Sequence, residues 1–137
     1  MKIPAPIIYE NMNRLVAQDE ERPCDLHVYL PDKTKYPYVL YRVYDPLDED
    51  FRIHKTASSS LIDFEFVSKY QGPKQAYEIA NWVLTQMVRT RKEWQGVKVS
   101  EMTRRSSDMF FDDERTDVTL VVVTATVEIS LEYETNN

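Results

Sequence analysis

Strict two-residue alternation near the end of the chain constrains its fold more than any other feature. Over residues 116–133, Val121, Val123, Ala125, Val127, Ile129, Leu131 and Tyr133 alternate with Val122, Thr124, Thr126, Glu128, Ser130 and Glu132. Successive strand residues face opposite sides of a sheet, so this pattern predicts one long strand with an inner and an outer face. Its length carries a second message. Such a segment, fully extended, spans about 59 Å at roughly 3.3 Å per residue. A compact domain of 137 residues has a radius of gyration of roughly 14 Å and a diameter of about 37 Å. The strand therefore either bends sharply at a bulge or reaches beyond its own domain. It contains no Gly or Pro to mark a kink. A protruding strand exposes a pairing edge, which a neighbouring copy would cover.

The rest of the chain supplies partners for that strand. Residues 5–20 predict a first helix: Ile7, Ile8, Met12, Leu15 and Val16 recur at helical spacing, Pro4 or Pro6 suits the first turn, and Pro23 stops the run. Residues 26–30 are a short apolar piece ending at Pro31, and residues 37–44 read as a strand rich in aromatic and β-branched types. In residues 61–69, Ile62, Phe64 and Phe66 oppose Asp63, Glu65 and Lys69, so one face is buried and one is wet. A second helix follows Gly72 and Pro73, with Ala76, Ile79, Ala80, Val83, Met87 and Val88 as its apolar stripe and Arg89, Arg91 and Lys92 crowding its end. Trp82 and Trp94 are expected beside it. After Gly96 a strand is expected over 97–103, then a polar loop beginning at Arg104 and Arg105. Helix, strands, helix, strands is the order of an α+β domain with an antiparallel sheet. No repeat or linker divides residues 1–137, so a single domain is expected.

Composition narrows the chemistry. The net charge of −6 opposes broad phosphate-backbone binding, which needs Lys and Arg to displace counterions. With only Gly72 and Gly96 present, no phosphate-cradling glycine loop can be written. Cys24 is the sole cysteine, so no internal disulfide forms and a reducing cytosol is the simplest setting. No apolar run approaches the roughly 20 residues of a membrane helix, and the first residues lack a signal peptide's apolar stretch. Cys24 and His27 suggest a metal pair, but residues three apart on an extended segment face opposite sides, and His54 is the only other histidine. Acidic clusters at Asp45, Asp48, Glu49, Asp50 and at Asp112, Asp113, Glu114 read as solvated loops without the EF-hand glycine. No residue set nominates a catalytic centre, a metal site or a cofactor.

Two stretches read instead as contact surfaces. Residues 45–60 form a connection longer than most in compact domains, and Asp48, Glu49, Asp50, Phe51 and Arg52 are its candidate contact residues. In residues 104–115, Arg104 and Arg105 precede the triplet Met109, Phe110 and Phe111, an apolar group rimmed by polar residues. The competing reading tucks Phe110 into the domain's own core.

The order of these elements, with the strand Pro37-Tyr38-Val39-Leu40-Tyr41, the strand Ile62-Asp63-Phe64-Glu65-Phe66, the helix start Gln75-Ala76-Tyr77-Glu78-Ile79-Ala80 and Phe110-Phe111-Asp112-Asp113 before the last strand, resembles a known family. That family is the tail terminator, or tail-to-head joining, proteins of long-tailed bacteriophages and gene-transfer particles. The resemblance covers about residues 5–133 and includes no catalytic motif. It implies two helices on one face of an antiparallel sheet. It also implies a ring of copies, typically a hexamer, that caps the tail tube, ends its polymerisation and joins it to the head-completion or connector protein. A sheath protein joins the partners if the tail is contractile. DNA would only pass through the lumen, past a ring of acidic chains to which like charge keeps it from sticking. The implied location is the virion neck, with assembly in the host cytoplasm. By the same analogy the 45–60 stretch faces tube or lumen and 104–115 meets a neighbour. The family's commoner glycines are missing from 45–60. A head-closure or adaptor protein is the alternative within the structural class, and a small ligand-binding α+β domain is the alternative outside it.

Overall fold

The apolar periodicities place the elements, and a computed structural model describes them over residues 4–44, 57–69, 73–112 and 119–133. Helix α1 (Pro4–Met12) buries Ile8 and Met12, and Val16 continues their four-residue spacing in a wider π turn, Asn13–Ala17. That turn ends the helix earlier than the expected residue 20. Gln18 N–H donates to the Asn13 carbonyl five residues back, at 2.9 Å. The Leu15 carbonyl is taken by the Gln86 side-chain amide at 3.1 Å. A side chain from elsewhere in the fold thus supplies the partner at an opened helix end.

Strands β1 (Asp25–His27), β2 (Tyr38–Tyr44), β3 (Ala57–Ser68), β4 (Val97–Asp112) and β5 (Leu120–Tyr133) form one sheet in the order β1-β2-β3-β5-β4. Helix α2 (Lys74–Arg89) joins β3 to β4 through a 3-10 turn, Arg91–Glu93, and Gly96. Gly96 has φ +85, a left-handed conformation open to glycine without strain. The peptide bond between Tyr36 and Pro37 is cis. The α+β class, the two helices and the long final strand are as expected. The sheet is mixed, however, because β1 lies parallel to β2 from Asp25↔Tyr38 to His27↔Leu40; every other pairing is antiparallel.

Register explains which face closes. The rows Val39–Phe66–Val123–Met109 and Val43–Ile62–Val127–Arg104 share one face. Both helices cover it, and Ile8, Met12, Val16, Ile79, Val83, Met87 and Trp94 join the strand residues in one buried cluster. Phe64 and Phe66 stack at its centre, ring centroids 5.5 Å apart. Burying each such side chain contributes about 1.5–3 kcal/mol. Trp82 is half-buried against the same cluster, so both tryptophans pack where the second helix was expected to hold them. The other face has a small cluster of its own at one end, where Tyr38, Val67, Leu120 and Val122 are buried with Tyr36 and Leu40 against them.

A buried asparagine ties the two helical segments together. Asn11 Nδ2 donates to the Ile7 and Gln95 carbonyls at 2.9 and 3.1 Å, and its Oδ1 accepts Gln95 N–H at 2.9 Å. Arg14 adds bonds to Asn11 Oδ1 and the Glu93 carbonyl. Every polar atom of the buried Asn11 amide is thereby used, as burial demands.

The expected dilemma over the last strand is resolved in a third way. β5 neither bends back nor leaves an edge open. β3 pairs with it from Ala57↔Glu132 to Ser68↔Val121, and β4 from Val97↔Tyr133 to Asp112↔Leu120. Its neighbours, of 12 and 16 residues against its own 14, run along nearly all of it, so the β3-β5-β4 part of the sheet is elongated. The inference that β5 itself needs a second copy is therefore overturned. The bulges fall on β4, at 99/101 and 104/106. The polar loop expected at 104–108 is strand instead, because pairing with β5 overrides the weak β-propensity of Arg, Ser and Asp there.

Candidate functional site

β4 is the terminal strand of the sheet, and among the described residues no strand lies beyond it. A terminal strand carries a row of backbone groups able to pair with another chain. The bulges divide this edge in two. Residues 97–105 carry both bulges, which disrupt a flat ladder and increase local twist. Residues 106–112 run in unbroken register, Ser106↔Thr126 to Asp112↔Leu120.

The predicted contact residues separate on this strand. Arg104 shares a row with Val127 and faces the helix-covered side. Arg105, the extra residue of the second bulge, reaches the other side and binds Glu128 through Nε at 2.8 Å and through Nη2. Ser59 donates to the second Glu128 oxygen at 2.9 Å. The Arg105 hydrogen bond first, and then that of Ser59, hold the Glu128 carboxyl below its ordinary value of 4.5. Met109 is half-buried against the main core. Phe110 and Phe111 project from opposite faces, 45% and 53% exposed. The triplet is therefore not one anchor: Met109 packs inward, while the two phenylalanines flank the open edge on both sides. Tucking Phe110 into the core is not what occurs. Asp48, Glu49, Asp50, Phe51 and Arg52 lie outside the described residues, as do Asp45, His54, Asp113 and Glu114.

Two further surfaces were not singled out in the sequence. An open groove of about 350 Å³ runs between α2 and β4, lined by Lys74, Tyr77, Asn81, Leu84, Arg104 and Ser107 among others. It exists because α2 covers β3 and β5 and stops short of β4. At the opposite border of the sheet, Val28, Tyr29 and Leu30 follow β1 directly and are exposed, Tyr29 at 80%. The available signal was Pro31: it ends the apolar piece after so few residues that the segment cannot be an interior strand.

Chemistry elsewhere is muted. Cys24 packs against the core, and burial chiefly, then Asp25, push its thiol up to about 11, with Arg22 opposing. Such a thiol is largely protonated and a poor nucleophile at neutral pH. Burial, then Tyr9, push the Tyr41 phenol up to about 12. Among the described residues no three His, Cys, Asp or Glu side chains converge to hold a metal ion. No described helix is long and apolar enough to cross a membrane. Comparisons with protein-family models and with curated protein sequences give no match to this chain.

Proposed function

We propose that this chain is a structural assembly protein, a tail terminator of a bacteriophage neck or a related particle. Copies form a ring that caps the tail tube, stops its growth and joins it to the head-completion or connector protein. A hexamer is the expected ring, with a sheath protein as a further partner in a contractile tail. DNA passes through the lumen, and the net charge of −6 keeps it from adhering. No catalytic residue or cofactor belongs to this reading. The observation that carries it is the unbroken edge at residues 106–112, with Phe110 and Phe111 exposed on its two sides. Exposed aromatics beside a free strand edge suit subunit contact better than an isolated existence in water. The α+β architecture with both helices on one face supports the same reading through the family resemblance.

Light scattering and negative-stain imaging, alone and with a tail-tube protein, provide the test. A ring, or a monomer that becomes a ring on the tube end, is the expected result. A monomer that never caps a tube counts against the proposal. A head-closure or adaptor protein is the second reading. Deleting the gene separates them: loss of a terminator gives overlong or unjoined tails, and loss of a head-closure protein gives leaking heads beside normal tails. The groove between α2 and β4 favours a third reading, a small ligand-binding domain. Saturable binding of a small molecule that protects Tyr77 and Arg104 from modification would support that instead.

A further inference from the structure

We infer that copies associate head to tail, the β4 edge of one chain against the β1 border of the next; this rests on the assembly reading above. The sheet has two unlike ends. At one, residues 106–112 offer a flat pairing edge with Phe110 and Phe111 on either side and acidic Asp108 among them. At the other, the outer side of the three-residue strand β1 faces no described strand, and exposed Val28, Tyr29 and Leu30 follow it. Lys33 and Lys35 lie just beyond, both exposed, with Asp32 as the only acid of that connection.

The two ends complement each other in three respects. Both are borders of the same sheet that face no described strand, so backbone groups on each find partners in the other. Both present exposed apolar side chains, which are removed from water together. Their charges are opposite: Asp108 stands on the β4 edge, whereas at the other border Lys33 and Lys35 outnumber Asp32, and Asp25 is paired with Arg22. Pairing of the β4 edge with itself lacks the third feature, because residues 106–112 include Asp108 and no Lys or Arg to face it. Self-pairing would also give a closed two-fold dimer, whereas two different patches on opposite sides of one chain propagate, into a ring when the rotation between copies closes. The sheet would then run from copy to copy around that ring.

Cross-linking tests this directly. In a Cys24→Ala background whose fold is checked by circular dichroism, Tyr29→Cys and Phe110→Cys are made separately and together. A short bis-maleimide is added to each alone, to their mixture and to the double variant, with and without tail-tube protein. The expected result is a dimer in the mixture far above either single variant, and a ladder up to the ring size in the double variant. Equal cross-linking of Phe110→Cys by itself overturns the inference in favour of self-pairing. Capped tubes without a cross-link between positions 29 and 110 also overturn it while leaving the assembly reading intact; failure to cap tubes sinks both. Charge exchange is the second measurement. Lys33→Glu with Lys35→Glu should weaken association roughly fivefold, and Asp108→Lys in the partner should restore it. No rescue means that these charges do not meet.

Discussion

β4 and β5 are the two arms of one pairing, yet they meet opposite conditions. β5 has a neighbour on each side, and its inward residues from Val121 to Leu131 are almost fully buried. Among the described residues β4 has a neighbour on one side only, and its residues beyond Val99 are exposed or half-buried. The sequences reflect this. β5 fills its inward positions with Val121, Val123, Ala125, Val127, Ile129 and Leu131 without a break, whereas β4 carries Lys98, Glu101, Arg104, Arg105 and Asp108 and two bulges. An interior strand is shaped by packing. An edge strand is shaped by the need to control what pairs with it, and here that control lapses over residues 106–112.

The strongest test of this contrast puts the same charge on both arms. Val123→Asp buries a carboxylate in the main core and is expected to lower stability by roughly 4 kcal/mol or more. Phe110→Asp, on the open edge, should change the stability of the isolated chain by no more than about 0.5 kcal/mol. Chemical denaturation of both variants decides it. Comparable losses would mean that β4 is as enclosed as β5.

Effects of intermediate size separate packing from polar anchoring. Phe66→Ala removes half of the stacked aromatic pair under both helices and should cost about 3–5 kcal/mol. Asn11→Ala leaves Gln95 N–H and two carbonyls without their partner, an expected loss of about 1–3 kcal/mol. Gly96→Ala meets no neighbour within 4 Å, so its cost, about 1–2 kcal/mol, is backbone strain alone. Denaturant midpoints measured together should fall in that order.

Hydrogen exchange sharpens the same comparison without a mutation. β5 amides should open only with global unfolding, while the outward-facing amides of residues 106–112 should exchange quickly in dilute solution. Their protection on raising the concentration would report a partner at the edge.

The smallest effect concerns Glu128. Its folded pKa lies below its ordinary 4.5, so the stability it lends is fully present above pH 4.5 and is lost as pH falls through the folded value. Arg105→Ala should therefore lower stability slightly at pH 7, where that contribution is present, and flatten the profile below pH 4.5, so that variant and parent converge in acid. A profile that keeps its slope would show that the pair contributes nothing measurable, the usual outcome for a solvent-open ion pair.

Local pattern was a sound guide wherever burial on one face dictated residue type. The stripe from Ala76 to Met87 and the alternations in β3 and β5 could be read directly, because a residue's period follows from its own backbone geometry, whereas Val88, read into the same stripe, is 53% exposed. The candidate surface was only half legible. Phe110 and Phe111 stood out as apolar residues among charges, but the separation of Met109 from them depends on strand pairing through Val121, Val122 and Val123. Tyr29 gave no such contrast, since it sits in an apolar piece that could equally have been core.

The amino-acid sequence by itself determined the α+β class, the main buried faces of α2, β3 and β5, and the lack of any glycine-built phosphate loop. Only the tertiary structure decided that β5 lies inside the sheet, that β4 is the terminal strand among the described residues, and that Asn11 and Gln86 hold the helices in place. The reason is physical: periodicity records how a residue meets its own element, whereas strand order and cross-chain hydrogen bonds arise from residues tens of positions apart. Those contacts leave no periodic trace along the chain.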